Sequence, residues 1–162
     1  MLLDRRLLAR LPLHEVAAVA AHEIGHFRLG HRWQRLALRL AATLVALYAL
    51  AAALPWAPLY LDLGFTGPSL HAALALAWLC GGALRCWLRP LEAALSRRQE
   101  RAADAYAAQL QGRAGALASA LLHLAEQNLQ NPWPHPWYAT WRFSHPPLEQ
   151  RLLALAHAAG GP

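Results

Sequence analysis

Two long runs without a charged residue constrain the fold of this chain more than any other feature. Positions 40 to 61 and positions 63 to 84 each hold 22 consecutive residues without Asp, Glu, Lys or Arg. About 20 apolar residues in an α-helix cross the roughly 30 Å hydrocarbon core of a bilayer. Pro55 and Pro58 should end the first helix early, and Gly67-Pro68 should precede the second. We therefore predict an all-α membrane protein with a two-span hairpin. A pair of buried helices in a soluble bundle is the alternative.

The placement of arginine predicts how the hairpin is oriented. The connecting loop carries a single charged residue, Asp62, whereas nine Arg flank the two runs on their outer sides. Because basic residues concentrate on the cytoplasmic side of a membrane, both outer ends should be cytoplasmic. All 15 basic residues are Arg, which indicates a GC-rich coding sequence and suggests a bacterial inner membrane. The nine flanking residues are Arg28, Arg32, Arg35, Arg39, Arg85, Arg89, Arg97, Arg98 and Arg101.

Composition limits the number of domains and the kinds of partner that this chain can have. A chain of 162 residues that is 57% hydrophobic forms one domain at most. Its net charge of +6 is explained by the flanking Arg, and no nucleic-acid motif accompanies that charge, so we expect no nucleic-acid partner. Cys80 and Cys86 stand six apart in an apolar run and are expected to be small buried hydrophobic residues.

The run His22-Glu23-Ile24-Gly25-His26 carries the clearest chemical signal. A helix turns about 100° per residue, so His22 and His26 lie on one face and can bind one Zn²⁺ through two imidazoles. Glu23, next to the metal, can take a proton from zinc-bound water and return it to a leaving amine. An accidental pattern on a polar helix face is the alternative. The spacing predicts a zinc peptidase site with Glu23 as its general base.

A second helix should complete the site. Glu100 and Asp104 are an i, i+4 pair on a stretch that Gly112 should close, and the hairpin returns this stretch to the zinc helix. Glu100 would be the third protein ligand, which leaves the fourth position for water. Asp104 would accept the free ring N–H of a zinc-bound His. Taken alone, the two acids would more simply pair with neighbouring Arg on a solvated face.

Two further histidines receive different interpretations. His31 follows the motif at the wrong spacing for a third metal ligand of the metzincin type and is expected to be an ordinary helix-end residue. His145, in a turn before two prolines, and Arg151 on a closing helix could donate to an oxyanion or a peptide carbonyl. On physical grounds alone, a helix N-terminus with an incidental His is the simpler interpretation.

Four separate blocks of the sequence resemble the C-terminal half of type-1 CAAX prenyl endopeptidases, in that family's order. The resemblance covers nearly the whole chain and implies an integral-membrane, gluzincin-type enzyme with one Zn²⁺ per chain. It implies His22, His26 and Glu100 as zinc ligands and Glu23 as general base. It also implies that Asp104 contacts a ligand and does not bind the metal itself. It also implies that His145 and Arg151 lie near the substrate. The blocks are Ala21 to His26 with His31, Ser96-Arg97 with Glu100 and Asp104, Asn128-Leu129, and Ser144-His145-Pro146 with Arg151.

The N-terminus departs from that family. Family members carry several further transmembrane helices there, whereas this chain offers Met1 to His14, a charged segment that does not read as a signal peptide. We expect a truncated product, one half of a split enzyme with a partner chain that supplies the missing helices, or a minimal protease open to lipid.

The function predicted from the sequence is zinc-dependent endoproteolysis of a hydrophobic or membrane-associated peptide at the cytoplasmic face. The alternatives are a quality-control metalloprotease that cuts membrane proteins, as the more distantly similar heat-shock membrane proteases suggest, and an inactive fragment that binds zinc or a partner helix. The expected partners are a peptide or protein substrate and membrane lipid. The whole chain, 1–162, is expected to be one peptidase domain, with a zinc helix at about 14–31, spans at about 40–60 and 68–88, a third-ligand helix at about 91–111 and a substrate-site segment at about 128–157.

Overall fold

The computed structural model describes residues 11–112, 114–129 and 131–158. Every regular element in these ranges is helical, and two helices are long and apolar enough to cross a membrane, so the prediction of an all-α membrane protein is confirmed. Residues 1–10, on which the expectation about a signal peptide largely rests, lie outside the described residues. The seven helices are α1 (Leu13–Arg28), α2 (His31–Ala53), α3 (Ala57–Asp62), α4 (Leu70–Gln111), α5 (Ala114–Gln127), α6 (Pro136–Arg142) and α7 (Leu148–Ala158).

The chain divides into two compact units. The first comprises residues 1–32 and 90–162, and the second comprises residues 33–89. Helix α4 belongs to both, with the division at Pro90, inside the helix. The second span and the third-ligand helix, which were predicted as separate elements, are therefore one continuous helix. A proline inside a helix removes one backbone donor but does not have to end the helix.

Small side chains form the core of the first unit. Helix α5 packs against α1 and α7. Their contact is built mainly from alanine, which lets helix axes approach closely, and from three leucines. The buried residues are Ala18, Ala21, Ala107, Ala114, Leu117, Leu121 and Leu155.

Apolar helices with exposed side chains make up most of the second unit. Helix α2 ends at Ala53, shortly before Pro55, as the proline predicted. Ser69 precedes α4 and its hydroxyl accepts a hydrogen bond from the backbone N–H of Ala72 at 3.4 Å, which caps the new helix. Tyr60, Ala72 and Ala73 form a small core.

The large side chains along these helices face outward. Leu44 and Trp78 are 67% and 82% exposed, and none of the most apolar stretch of α2 is buried. A soluble bundle would bury such helices, so the exposed apolar surface fits contact with lipid. Cys80 and Cys86 are exposed as well, so the expectation that they are buried is wrong. Among the described residues, no other element covers this part of α4.

Candidate metal centre

Helices α1 and α4 bring the three predicted ligands together in the first unit. Nε2 of His22 lies 3.2 Å from Nε2 of His26 and 3.5 Å from Oε2 of Glu100. Nε2 of His26 lies 3.3 Å from Oε1 of the same carboxylate. Candidate ligand atoms of all three residues thus lie within 4.8 Å of one another.

Close packing at Gly25 sets the separation of the two helices. A Cβ on Gly25 would lie 3.2 Å from the backbone oxygen of Ala103 and 3.2 Å from the Tyr106 ring. Real Cβ atoms rarely come that close, so glycine lets α1 rest directly against the backbone of α4. Gly25 stands between the two histidines in sequence, so this close contact helps side chains from both helices to meet.

The carboxylate of Asp104 lies on the outer side of His22. Nδ1 of His22 lies 2.8 Å from Oδ1 of Asp104. Arg151 of α7 holds the carboxylate in turn, donating from Nη2 to Oδ1 at 2.6 Å and from Nε to Oδ2 at 2.8 Å. Such two-point pairing fixes the plane of the carboxylate and hence the His22 ring.

Arg151 lies on the outer side of His22. Its guanidinium binds Asp104, and only 11% of its side chain is exposed. These contacts suit an arginine that orients the carboxylate beside His22.

Hydrogen bonding keeps the two carboxylates ionised although both are buried. Burial acts to raise the pKa of Glu100, but hydrogen bonds from His145, His22 and His26 outweigh it and hold that pKa far below its ordinary value. Burial likewise acts against the charged form of Asp104, and hydrogen bonds from His22 and Arg151 lower the pKa of that residue overall. Two buried negative charges therefore face α1 at neutral pH. Their attraction suits a cation.

The protonation of His22 responds to the same carboxylates. Burial acts to lower the pKa of His22, but hydrogen bonds to Asp104 and Glu100 outweigh burial and raise that pKa to about 9. Imidazole binds a metal only through a nitrogen that carries no proton. A metal bound through Nε2 of His22 would therefore have to displace a proton from that ring.

His31 is not the incidental helix-end residue that its spacing suggested. It is only 5% exposed, and its Nδ1 lies 2.9 Å from Nδ1 of His26, on the outer edge of that ring. The spacing of His31 is wrong for a third ligand of the metzincin type, but it allows contact with His26. Gly30, which has a φ of +67°, is the sequence signal that could have indicated this turn.

The C-terminal segment reaches the cluster through His145. Nδ1 of His145 lies 2.9 Å from Oε2 of Glu100, while 63% of its side chain stays exposed. Arg97 of α4 holds the preceding helix, because its Nη1 donates to the backbone oxygens of Ala139, Thr140 and Phe143 at 3.5, 3.2 and 3.0 Å. A cation at the C-terminal end of α6 satisfies carbonyls that have no helical partner. The alternative in which Arg97 pairs with the nearby acids does not apply.

The donor set fits zinc. Two imidazole nitrogens and one carboxylate are the protein ligands of one class of catalytic zinc sites, in which the fourth position stays open. The ionised Glu100 supplies a negative charge, and the outer nitrogen of each imidazole has a partner that can hold the ring. The residues present are therefore suited to the metal that the sequence predicted.

Comparison with known proteins identifies the family. The model of Peptidase family M48 matches residues 1–159 of the chain. The chain belongs to peptidase family M48. The members of this family are zinc metalloproteases.

Relatives of known name agree with this family. The chain is 35% identical over 146 residues to CAAX prenyl protease 1 homolog of Mus musculus, covering 89% of this chain and 30% of that protein. It is 32% identical over 176 residues to Protease HtpX homolog of Acidiphilium cryptum, covering 94% and 58%. The crystal structure of S. mikatae Ste24p matches with a TM-score of 0.75 and 26% identity, covering 86% of this chain and 36% of that one. The resemblance to CAAX prenyl endopeptidases is thus confirmed.

The M48 chain spans only part of these relatives. It covers 30% of the mouse protein and 36% of the Ste24p chain. Similarity to these proteases and the two apolar helices suggest that the chain associates with a membrane.

Proposed function

We propose that this M48 chain is the catalytic part of a zinc-dependent membrane endopeptidase that cleaves a hydrophobic or membrane-associated peptide. The observation that carries the proposal is the convergence of His22, His26 and Glu100 within 4.8 Å in a largely buried setting. These residues would hold the metal. A zinc ion there would act as a Lewis acid and would make water acidic enough to deprotonate near neutral pH.

Glu23 is the proposed general base. It follows His22 directly on α1, is half-buried and is not one of the three converging ligands. In peptide hydrolysis Glu23 takes the proton from the attacking water and returns it to the leaving amine. A base in this role contributes about 10²- to 10⁴-fold to the rate.

His145 and Arg151 have separate proposed roles. The His145 side chain is largely exposed beside Glu100, where a ring N–H can donate to the carbonyl oxygen of a bound peptide as that oxygen gains charge. Asp104 holds the tautomer of His22, and Arg151 holds Asp104. Arg151 therefore acts through other residues in this proposal.

The proposed location follows from charge. Nine Arg flank the two apolar helices, whereas Asp62 alone lies between them, which supports a cytoplasmic metal site. The absence of lysine among the basic residues supports a bacterial inner membrane. Lipid would contact the exposed apolar helices, and a partner chain that supplies further transmembrane helices is also proposed. The single-domain assignment stays a prediction.

A quality-control protease that cuts membrane proteins is the second candidate. Similarity to Protease HtpX homolog favours it, because the chain covers 58% of that protein. An unmodified hydrophobic peptide and the same peptide carrying a prenylated cysteine three residues before its C-terminus distinguish a CAAX-type form of the first candidate from the second. Equal cleavage favours the second candidate, whereas a strong preference for the prenylated peptide favours the CAAX-type function.

Two substitutions test the catalytic proposal in the purified chain. Glu23→Gln should keep zinc content near one per chain and lower peptidase activity by at least about 10²-fold, because the amide cannot take a proton. Glu100→Gln should instead lower zinc content, because a neutral amide replaces an anionic ligand. Zinc is measured by metal analysis, and cleavage is measured on a hydrophobic peptide in detergent and in lipid bilayers.

Glu92→Gln is the matched control, since Glu92 is exposed on the same helix as Glu100. It should retain both zinc and activity. Full zinc and full activity in all three variants would refute the assigned roles. A parent chain that binds zinc yet cleaves nothing in any lipid condition would support the inactive-fragment alternative.

A further inference from the structure

The two histidine ligands of the proposed site have different outer partners. His22 directs Nε2 toward Glu100 and places Nδ1 2.8 Å from the Asp104 carboxylate. His26 also directs Nε2 toward Glu100, but places Nδ1 2.9 Å from Nδ1 of His31. Each imidazole thus has an inner nitrogen at the cluster and an outer nitrogen at a protein partner.

The chemistry of imidazole indicates which of the two Nδ1 atoms, that of His26 or that of His31, carries the proton between them. A metal-binding imidazole carries its proton on the nitrogen that does not bind the metal, and that N–H needs an acceptor. For His26 the acceptor within reach is Nδ1 of His31. A neutral His31 that accepts at Nδ1 carries its own proton on Nε2. The ring centroids lie 5.0 Å apart at an interplanar angle of 71°.

The local backbone places His31 there by a tight reversal. Helix α1 ends at Arg28, the N–H of Leu29 donates to the oxygen of Gly25 at 3.0 Å, and the N–H of Gly30 donates to the oxygen of Phe27 at 3.1 Å. Gly30 then adopts a left-handed φ of +67°, and α2 begins at His31. Glycine adopts this left-handed conformation freely and asparagine tolerates it, whereas most other residues disfavour it.

Burial indicates that the contact is not incidental. His31 is 5% exposed although its neighbours Arg32 and Trp33 are exposed. A buried imidazole without hydrogen bonds would cost free energy, so its ring nitrogens need partners in this position. The contact with His26 meets that need at Nδ1.

We propose that His31 is a positioning residue for the metal centre, because it accepts the outer N–H of His26 and fixes the tautomer and ring orientation that turn Nε2 toward Glu100. The inference rests on the proposed zinc function and goes beyond it, since it adds a residue that does not bind the metal. Outer partners of this kind are worth about 10- to 100-fold in metal affinity.

Zinc affinity in three variants tests the proposal. His31→Phe keeps a ring but removes the acceptor, so the Kd for zinc, measured by chelator competition in detergent, should rise by about 10- to 100-fold. His31→Asn offers a side-chain oxygen near the position of Nδ1 and should restore most of the affinity. His157→Phe makes the same replacement at an exposed histidine on α7 and should leave the Kd unchanged.

The absorption spectrum of bound Co²⁺ is a second test of the contact between His31 and His26. The visible absorption of Co²⁺ bound to the cluster reports ligand geometry, so His31→Phe should change this spectrum and His31→Asn should return it toward that of the parent. A change in general stability would not be reversed by asparagine in this way. Equal zinc Kd and equal cobalt spectra in the parent and a folded His31→Phe variant would overturn the proposal.

A substitution that leaves both histidines intact covers the case in which His31→Phe does not fold. Gly30→Val should displace His31 and weaken zinc binding, because a β-branched residue disfavours the left-handed φ. Gly30→Asn tolerates that φ and should bind zinc as the parent does. Equal Kd values in this pair would also overturn the role of His31. A parent chain without zinc affinity would refute the proposed function itself, which is a distinguishable result.

Discussion

Single side chains in the first unit are tied together by buried charges as well as by apolar contact. Glu15 of α1 is 1% exposed and accepts a hydrogen bond from the hydroxyl of Ser119 at 2.6 Å. Its other oxygen lies 2.8 Å from Nδ1 of His123. Both partners belong to α5, so one carboxylate connects the metal-site helix to its neighbour.

The ionisation of this pair defines a pH window. Burial acts to raise the pKa of Glu15, but hydrogen bonds from Ser119 and His123 hold that pKa below its ordinary value of 4.5. The same contact raises the pKa of His123 above its ordinary value of 6.5. The contribution of His123 to stability is therefore complete below 6.5 and is lost as the pH rises through the raised pKa. The contribution of Glu15 is lost as the pH falls through its lowered pKa.

We expect the parent chain to lose stability, in part through His123, as the pH rises from about 6.5 through the raised pKa of that residue. His123→Gln should lower the thermal unfolding midpoint at about pH 6 and should flatten its pH dependence across this interval. Unfolding is followed by circular dichroism in detergent at several pH values. His157→Gln is the control, because His157 is exposed on α7 and should leave the profile unchanged. Identical profiles in the parent and His123→Gln would refute the assignment.

At the scale of helices, α1 packs closely against α4 beside the proposed metal site. The backbone of Ala103 lies directly beneath Gly25, one residue before Asp104 and one turn after Glu100. A side chain at position 25 would require the neighbouring atoms of Ala103 and Tyr106 to shift by a few tenths of an ångström. The distances between the histidines and Glu100 would change with that movement.

Gly25→Ala tests this dependence. The added methyl group would sit 3.2 Å from the Ala103 oxygen, so we expect a loss of about 1–3 kcal/mol in the free energy of unfolding, as for other overpacked sites. The zinc Kd should rise roughly tenfold if about 1.4 kcal/mol of that strain falls on the ligand geometry. Both quantities are measured in detergent, by denaturant titration and by chelator competition.

Gly115→Ala is the matched control on α5. Within the described part of the chain, no atom lies within 4 Å of a Cβ built on Gly115. Alanine there should stabilise the helix by about 0.4–1 kcal/mol and leave zinc affinity unchanged. A Gly25→Ala variant that behaves like Gly115→Ala would show that a methyl group fits between α1 and α4 at position 25.

The part of the fold that could be predicted depends on proline and glycine residues that end helices. Pro55 and Gly112 indicated helix ends, and α2 and α4 end where they predicted, at Ala53 and Gln111. The continuity of α4 through Pro90 could not be predicted in this way, because proline can end a helix or merely interrupt one hydrogen bond. Contacts of the flanking turns decide between the two, and a single sequence does not contain them.

The predictable part of the site follows from helical spacing. His22, His26, Glu100 and Asp104 converge because i, i+4 pairs share a face. The partner of His26 depends on a backbone reversal at Gly30, and spacing along one helix does not describe a reversal. The capping role of Arg97 depends on carbonyls that are more than 40 residues away in sequence.

For the whole molecule, the distribution of arginine predicts which side of the membrane the connecting loop meets. We expect the loop around Asp62 to face away from the cytoplasm. Leu63→Cys, in a chain whose Cys80 and Cys86 are replaced by Ser, should react only with a membrane-impermeant thiol reagent added outside. Position 63 is chosen because Gly64 has a φ of +84°, which a cysteine would strain.

Gln127→Cys in the same background is the control for the other side. Gln127 is exposed at the end of α5, in the unit that holds the metal site, and should react only from the cytoplasm. A Leu63→Cys label that reacts only from the cytoplasmic side would reverse the orientation. Reaction of both positions from one side would exclude two complete spans.

The pairing of Arg151 with Asp104 has a consequence for the order of events during synthesis. These residues are 47 positions apart, and Arg151 stands in the last helix that the structure describes. A nascent chain emerges with its N-terminal segments first, so both apolar helices leave the ribosome before α7 does. The ligand shell around His22 is therefore completed only after both helices are available to the membrane. Asp104 therefore meets its guanidinium partner only after both apolar helices have been synthesised.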